Sequence, residues 1–424
     1  MWKKNLLIGL ILILANNTAF AEGMRFIDEK KPFSEILQMA SQKDQLVMVD
    51  FYTDWCSWCK VLDEKTYSTN EVGALAENFL SYKINAEKGD GIELAKKYNI
   101  TGFPSILFIN GSGEEVDRLI GYYPPESFIP VVRDILDNKD TYLSLKKQYK
   151  MEPDNPKVAY PYAQKLFDRG QHTEALNIFE SIIASDSENK SGVLGPIYLQ
   201  KGMLSLREGD VEAAVSDLSL VISKYDQFEE SHLAYAYMSM INERSGEPEE
   251  AIRLLKEAVK KTTSKDYLFN YRGRLALLYL DQKQFGQADG LITEIEKNSE
   301  DKVSAAELRL NFYLKQNDKK SAEILMKNLL PGIENDSNAL NQIAWAWVEN
   351  ESYSESALNW AEKAVALSDR NEMILDTLAE LYLLKGDVKK AIEIEREAME
   401  RSSSKRNKSE FQKKITDWES RTTM

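Results

Sequence analysis

The sequence predicts two parts, an α/β domain followed by an all-α array of paired helices. Short apolar runs alternate with helical patterns through residues 24–140, whereas the apolar period is purely helical from about residue 155 onward. One sequence motif, typical of two helices joined by a turn, recurs through that second part. A chain of 424 residues is also too long for a single hydrophobic core, so separate domains are expected.

The first 21 residues have the composition of a secretory signal peptide. Lys3 and Lys4 form the positive end, residues 6–15 are apolar, and positions 19 and 21 hold small residues. The apolar run is too short to cross roughly 30 Å of hydrocarbon, so an uncleaved anchor is disfavoured. We expect cleavage after Ala21, a mature chain without a membrane span, and a periplasmic or secreted location.

Four strand patterns define the α/β domain, which we place at residues 22–140. The first runs of apolar residues are separated by helical stretches, and the last two flank a turn over Asn110–Gly113 that is typical of a β-hairpin. This order indicates a sheet with packed helices. The predicted strands are residues 46–52, 80–84, 105–109 and 115–120.

The net charge and the cysteine content limit the classes of partner and the kind of chemistry that the chain can be expected to have. The net charge of -14 disfavours nucleic acid and anionic membrane as partners. The two cysteines, Cys56 and Cys59, would close a loop too small to add much stability through chain entropy. A secreted protein that depended on disulfides for stability would contain more of them. The pair is therefore predicted to serve chemistry, although an inert structural disulfide stays possible.

The predicted location of the pair suits thiol–disulfide exchange. A strand ends near Tyr52 and a helical pattern begins at Ser57, so Cys56 lies at a helix N-terminus, where free amides favour a thiolate. Cys56 would attack a substrate disulfide, and Cys59, one turn deeper, would resolve the mixed disulfide. A zinc site is disfavoured because no further cysteine exists. We expect no metal and no cofactor beyond this redox-active pair.

Two motifs resemble those of thioredoxins. Val49–Tyr52 followed by Trp55–Lys60 is similar to the active-site strand and helix of that family, and Thr101–Ser105 is similar to its cis-proline loop. The phrase Asp54–Cys56 and the hairpin are most similar to the thioredoxin-like C-terminal domain of the transmembrane reductant DsbD. The resemblance covers roughly residues 26–138 and implies a thioredoxin-like fold.

The resemblance implies roles for further residues. Asp50 would be a buried carboxylate that assists proton transfer at Cys59, and Lys83 would modulate Asp50. The alternative is that Asp50 faces solvent at a strand end. Pro104 would follow a cis peptide bond that places the backbone of Phe103 against the disulfide.

The residues beside the cysteines are candidates for substrate binding. Ser57 and Trp58 replace the glycine and proline of thioredoxin itself, so the reducing power of thioredoxin cannot be transferred to this chain. Trp55, Ser57, Trp58 and Phe103 are the predicted substrate-binding residues. For Trp55, packing against its own domain is an equal alternative.

The second part, residues 155–400, contains about seven copies of one sequence motif. In this motif, a residue that tolerates left-handed backbone geometry lies five positions before an alanine. Successive alanines are 34 to 39 residues apart, a period typical of tetratricopeptide repeats (TPR). The fold class is thus an α/β thioredoxin-like domain followed by an all-α TPR superhelix. The copies of the motif are Gly170–Ala175, Gly209–Ala214, Gly246–Ala251, Lys283–Ala288, Asn317–Ala322, Ser352–Ala357 and Gly386–Ala391.

A small residue is expected twelve positions before each alanine, where the two helices of a repeat approach closely. Leu310 and Trp345 break this rule, so the fifth and sixth repeats are irregular or shifted in register. Residues 141–154 are polar and predict a linker, and residues 401–424 predict a charged C-terminal tail. The remaining members of the small-residue set are Ala163, Gly202, Ser239, Ala276 and Ala379.

The leading functional hypothesis is a periplasmic or secreted thiol–disulfide oxidoreductase that acts on protein or peptide substrates, more reductase-like than oxidase-like. Such a reductase needs an electron donor, possible at the inner membrane, and the concave TPR surface would bind a protein partner. The alternative is a TPR scaffold of the cell envelope in which the thioredoxin-like domain is secondary. A role in cytochrome c maturation or metal delivery is a third hypothesis, and the lack of further metal ligands makes metal delivery the weakest option.

Overall fold

The computed structural model describes residues 23–422. The described chain forms two compact units, and the boundary between them along the sequence falls between Leu194 and Gly195. The predicted signal peptide lies outside the described residues. Within them, every helix is too short or too polar to cross a membrane.

The first unit begins with the predicted α/β domain, whose sheet has the strand order β2-β1-β3-β4. Strand β1 is parallel to β2 and antiparallel to β3, and β3 is antiparallel to β4. The predicted α/β fold is confirmed. The strands are β1 Val47–Tyr52, β2 Leu80–Asn85, β3 Ser105–Ile109 and β4 Glu115–Ile120, and the helices are α1 Phe33–Lys43, α2 Ser57–Leu62, α3 Asn70–Leu75, α4 Asp90–Lys97 and α5 Pro125–Leu136.

The two-residue period of β1 divides its side chains between the faces of the sheet. Val49 and Phe51 pack in the cluster that includes Ile36 of α1. Met48 packs on the other face, in the cluster that includes Leu62 of α2 and residues of α5. By the same alternation Asp50 lies on the α2 face, although it is the one charged residue of the strand.

Three further helices complete the first unit: α6 Tyr142–Met151, α7 Pro156–Asp168 and α8 His172–Ser185. The segment predicted to be a linker, residues 141–154, is therefore largely helical. The Thr141 side chain begins α6 by accepting a hydrogen bond from the Ser144 amide. Helix α6 packs against β4, so the first compact unit extends beyond the predicted domain boundary at residue 140.

A buried ion network joins α7 to strand β4. The Arg169 guanidinium, at the end of α7, lies 2.7 Å from Glu115 and 3.0 Å from Asp117, and these side chains are nearly buried. Lys165 adds a second cation 2.5 Å from Asp117. The guanidinium also lies 4.0 Å from the centre of the Tyr142 ring in α6. Burial raises the pKa of Glu115, but the two neighbouring arginines, Arg118 and Arg169, lower it by more.

The second unit consists of antiparallel helix pairs, as the repeat period predicts. Together with α7 and α8, they make seven pairs in the part of the chain that the structure describes. The helices are α9 Leu194–Glu208, α10 Val211–Lys224, α11 His232–Arg244, α12 Pro248–Lys261, α13 Lys265–Asp281, α14 Phe285–Asn298, α15 Lys302–Lys315, α16 Lys319–Ile333, α17 Ser337–Glu349, α18 Glu355–Leu367, α19 Glu372–Lys385, α20 Val388–Arg401 and α21 Lys405–Thr422.

The alanine of every repeat is fully buried, and this burial permits close contact between the paired helices. At Gly202 the approach is so close that an added Cβ would lie 2.8 Å from Cγ of Leu218. In the predicted register Ser239 is also fully buried, and its hydroxyl donates to the Ala251 carbonyl at 2.7 Å. The repeat alanines are Ala175, Ala214, Ala251, Ala288, Ala322, Ala357 and Ala391.

The sixth turn differs from the prediction. Six of the seven predicted turn residues have positive φ, but in the sixth turn the left-handed residue is Glu351 instead of Ser352. The left-handed residue of this turn therefore precedes the repeat alanine by six positions instead of five, and Ser354 caps α18 by accepting a hydrogen bond from the Ala357 amide. The small residue opposite Ala357 is therefore the fully buried Ala344, thirteen positions earlier, so the expected position at Trp345 was wrong by one residue.

The predicted charged tail is helix α21 over most of its length. Its charged residues surround an apolar stripe of Phe411, Ile415 and Trp418, all of which are buried. Lys414 on the same helix lies 2.5 Å from Asp376 of α19. The tail therefore covers the last helix pair, as expected for the terminal element of a repeat array.

We expect Arg169→Ala to destabilise the first unit, since Glu115 and Asp117 would keep their buried charges with one cation fewer. The free energy of unfolding should fall by about 3 kcal/mol. Urea unfolding, followed by hydrogen exchange of β4 amides, measures this loss. The matched control is Arg253→Ala, because Arg253 pairs with Glu250 on the surface and its removal should cost under about 1 kcal/mol. If both variants lost the same free energy of unfolding, the buried network would contribute no more to stability than a surface ion pair.

Candidate functional site

Strand direction brings four connecting segments to one end of the sheet. Because β1, β2 and β4 run the same way and β3 runs against them, the ends of β1, β2 and β4 lie beside the start of β3. These segments carry Cys56, Glu87, Phe103 and Tyr122 in that order. Cys56 and Phe103 were predicted site residues, whereas Glu87 and Tyr122 were not.

Cys56 and Cys59 form a disulfide at the start of α2. Cys56 occupies the N-cap position, and its sulfur accepts a hydrogen bond from the Cys59 amide at 3.0 Å. The same amide would stabilise a thiolate on Cys56 after reduction, since helix N-termini favour negative charge. Ser57, the first helical residue, is exposed. The structure thus has the geometry that the sequence predicted for the pair.

Asp50 is completely buried, and this corrects the alternative that it faces solvent. Lys83 lies at ion-pair distance, with Nζ 3.2 Å from Asp50 Oδ2. Among the described residues, neither carboxylate oxygen has a well-oriented hydrogen-bond donor. Burial raises the pKa of Asp50 to about 6, although the charge of Lys83 opposes the rise. Asp50 therefore changes its charge close to neutral pH.

Lys83 connects Asp50 to a second carboxylate, Asp63. Burial acts to lower the pKa of Lys83, but the charges of Asp50 and Asp63 raise it further, so the ammonium stays charged. The ring centres of Phe26, Tyr52 and Tyr67 lie 5.0 to 5.7 Å from the ammonium. The structure thus places Lys83 beside Asp50, as the resemblance implies.

Sequence reasoning missed Asp63. It follows Cys59 by four positions, where a π-helical turn over Asp63–Tyr67 continues α2. The Asp63 side chain is 46% exposed, whereas Asp50 is buried. Lys83 therefore pairs with one carboxylate in the protein interior and with another that contacts solvent. The available signal was an acidic residue one helical turn after the second cysteine.

Two tryptophans border the disulfide. Trp55 is 67% exposed and Trp58 is 58% exposed, whereas Cys56 is 4% exposed. The Trp55 and Phe103 rings lie edge to face with their centres 5.8 Å apart, and the Phe103–Pro104 peptide bond is cis. Trp55 packs on its own domain, as one alternative predicted, and still presents most of its surface, whereas its part in substrate binding stays a prediction.

We expect Asp50→Asn to stabilise the folded protein at neutral pH, because the variant avoids a buried charge. An acid whose folded pKa is raised loses stability as pH rises from its ordinary pKa, 3.8, to its folded pKa, about 6. The stability difference between variant and wild type should be near zero at pH 3.5 and reach about 3 kcal/mol above pH 6.5. Urea unfolding across this pH range, with the cysteines oxidised, measures it.

The matched control for this prediction is Asp54→Asn. Asp54 is exposed and pairs with Lys88 at 2.6 Å on the surface, so its replacement should give no such pH-dependent gain. A stability difference for Asp50→Asn that does not vary with pH would contradict the buried, titrating carboxylate.

Comparison with known proteins supports the α/β domain as a recognisable unit. Residues 33–136 match the family described as a thioredoxin-like domain. The thiol:disulfide interchange protein DsbD of Escherichia coli strain K12 is 33% identical over 125 residues, which are 28% of this chain and 22% of that protein. The chain thus spans about a fifth of the length of this relative.

Solved structures are similar to the α/β domain and, separately, to the helical repeats. A putative disulphide-isomerase from Bacteroides thetaiotaomicron is 39% identical and covers 26% of this chain and 92% of its own, with a TM-score of 0.24. A tetratricopeptide repeat protein from Parabacteroides merdae is 16% identical and covers 52% of this chain and 85% of its own, with a TM-score of 0.37. The domain match and the helix pairs described above show that the chain combines a thioredoxin-like domain with an array of tetratricopeptide-type repeats.

Proposed function

We propose that the chain is a thiol–disulfide oxidoreductase that reduces disulfides in protein or peptide substrates. The observation that carries this proposal is the Cys56–Cys59 disulfide at a helix N-terminus, on the sheet face that also buries Asp50. A disulfide placed there for stability alone would not need a titrating carboxylate on the same face. The likeness to DsbD over 125 residues supports the same chemistry.

The reaction transfers two electrons to the substrate. The Cys56 thiolate attacks one substrate sulfur, the substrate S–S bond breaks, and the released substrate sulfur takes up a proton. Cys59 then loses its proton to Asp50 and attacks the Cys56 sulfur of the mixed disulfide. The second substrate thiol leaves with a proton, and the Cys56–Cys59 disulfide forms again. Lys83 acts as a positioning residue, because its charge holds the pKa of Asp50 down against burial.

The cycle needs a dithiol donor that returns two electrons to the Cys56–Cys59 disulfide. We propose a donor at the inner membrane and a periplasmic or secreted location, on the composition of residues 1–21 and on the likeness to DsbD. We assign Pro104 and Phe103 to the loop against which an extended substrate lies, as the resemblance implies. The repeats would hold the protein partner that carries the substrate disulfide.

We expect Cys56→Ser to abolish the reduction of insulin by the full chain in the presence of a dithiol donor, with a loss of at least about a hundredfold in rate. Cys59→Ala should instead retain its substrate as a stable mixed disulfide on Cys56, because the resolving thiol is missing. Non-reducing electrophoresis followed by mass spectrometry identifies the retained protein.

The control is the double variant Cys56→Ser with Cys59→Ala, which lacks both thiols and should trap nothing. The alternative, a repeat scaffold with an incidental thiol pair, makes the opposite prediction. Under that alternative, cells carrying Cys56→Ser keep the phenotype of the wild-type protein, and Cys59→Ala retains no substrate.

A further inference from the structure

We propose that the site selects polypeptides with bulky apolar side chains on both sides of the reacting cysteine, and that Tyr122 is a specificity-determining residue. This inference rests on the proposed function, since it concerns which substrates reach the disulfide. The observation behind it is a pair of aromatic patches, each made of one tryptophan beside the cysteines and one ring from another loop.

The first patch consists of Trp55 and Phe103 and lies toward the β2 edge of the sheet. The Trp55 indole N–H donates to the Glu87 carboxylate at 3.1 Å, and Glu87 lies just after β2. Phe103, before β3, meets the same indole edge to face at 5.8 Å. These two contacts hold the indole in place while 67% of Trp55 stays exposed.

The second patch consists of Trp58 and Tyr122. The two rings stack with centres 5.7 Å apart and an angle of 25° between their planes. Tyr122 lies just after β4, which is the opposite edge strand to β2. The two patches therefore contact loops from opposite edges of the sheet, and the disulfide follows the central strand β1 between those edges.

An incoming chain meets these patches before it meets sulfur. Cys56 and Cys59 are 4% and 3% exposed, whereas the two indoles are more than half exposed. A polypeptide that brings a substrate sulfur to Cys56 therefore places the side chains beside that sulfur against the indoles. Fixed aromatic rings favour apolar and aromatic neighbours, because these release water on contact without leaving polar groups unpaired.

The charge beside the first patch favours a basic residue in the substrate. Lys88 neutralises Asp54 at 2.6 Å, whereas within residues 23–422 the Glu87 carboxylate accepts only the neutral indole N–H of Trp55. A lysine or arginine on the Trp55 side of the substrate cysteine would pair with Glu87, and an aspartate there would be repelled. The preferred partner is thus an extended segment with apolar flanks and a positive charge on one side.

The test uses the reduced full chain and three disulfide probes. One is a peptide disulfide with leucine and phenylalanine beside the cysteine and a lysine beyond, and the second has serine and glycine in place of the apolar residues. The third is bis(2-hydroxyethyl) disulfide, which has no side chains to recognise. We expect the wild type to reduce the first peptide at least about tenfold faster in kcat/KM than the second.

Tyr122→Ala should lower this ratio about fivefold or more, because Trp58 loses the ring that holds it. Tyr122→Phe keeps the ring and should keep the ratio, which shows that the effect comes from stacking and not from a folding defect. Met151→Ala is the matched control, since Met151 is a large exposed apolar residue in the same unit, on α6. It should leave both peptide rates unchanged.

The outcomes separate this inference from the proposed function. Equal rates for the two peptides, with the small disulfide still reduced, overturn the selection of apolar flanks and leave the oxidoreductase intact. A tenfold preference that survives Tyr122→Ala overturns the role of Tyr122. Failure to reduce all three disulfides refutes the proposed function itself.

Discussion

The alternation of strand β1 places a carboxylate where a folded protein rarely tolerates one. Val49 and Phe51 must point into the core on one face, so Asp50 must point toward α2 on the other. A buried charge is unfavourable unless it is paired, and Lys83 supplies a partner at 3.2 Å. The pKa of Asp50, about 6, is the balance between burial and that pairing. The same geometry that builds the strand thus provides a group that exchanges protons near neutral pH.

Features that depend on local periodicity could be predicted from the sequence. The strand patterns match β1 to β4 within two residues at each end, because apolar runs and turn residues determine strand bounds. The buried alanines of the repeats follow from the period of the motif. The sixth turn could not be predicted, because it adopts left-handed backbone at Glu351, a residue type that seldom does so.

Contacts between distant segments were not predictable from local patterns. Residues 141–154 suggested a linker because they are polar. The helix α6 that forms there packs against β4, and the Arg169 guanidinium at the end of α7 lies over its Tyr142 ring. Sequence reasoning identified the cysteines, both tryptophans and Phe103, but it missed Tyr122 and Glu87, which come from other strands. These two residues contact the indoles, so the proposed selectivity of the site depends on the tertiary structure of the whole domain.

The proposed role of Asp50 in proton transfer is tested most directly by the pH dependence of the second exchange step, in which Cys59 would release the substrate from Cys56. Rapid mixing of the reduced full chain with a peptide disulfide measures the rate of this release. The rate should rise as pH passes the pKa of Asp50, about 6, because the ionised carboxylate then accepts the Cys59 proton. In Asp50→Asn this rise should be absent. Identical pH profiles for the two proteins would contradict the account.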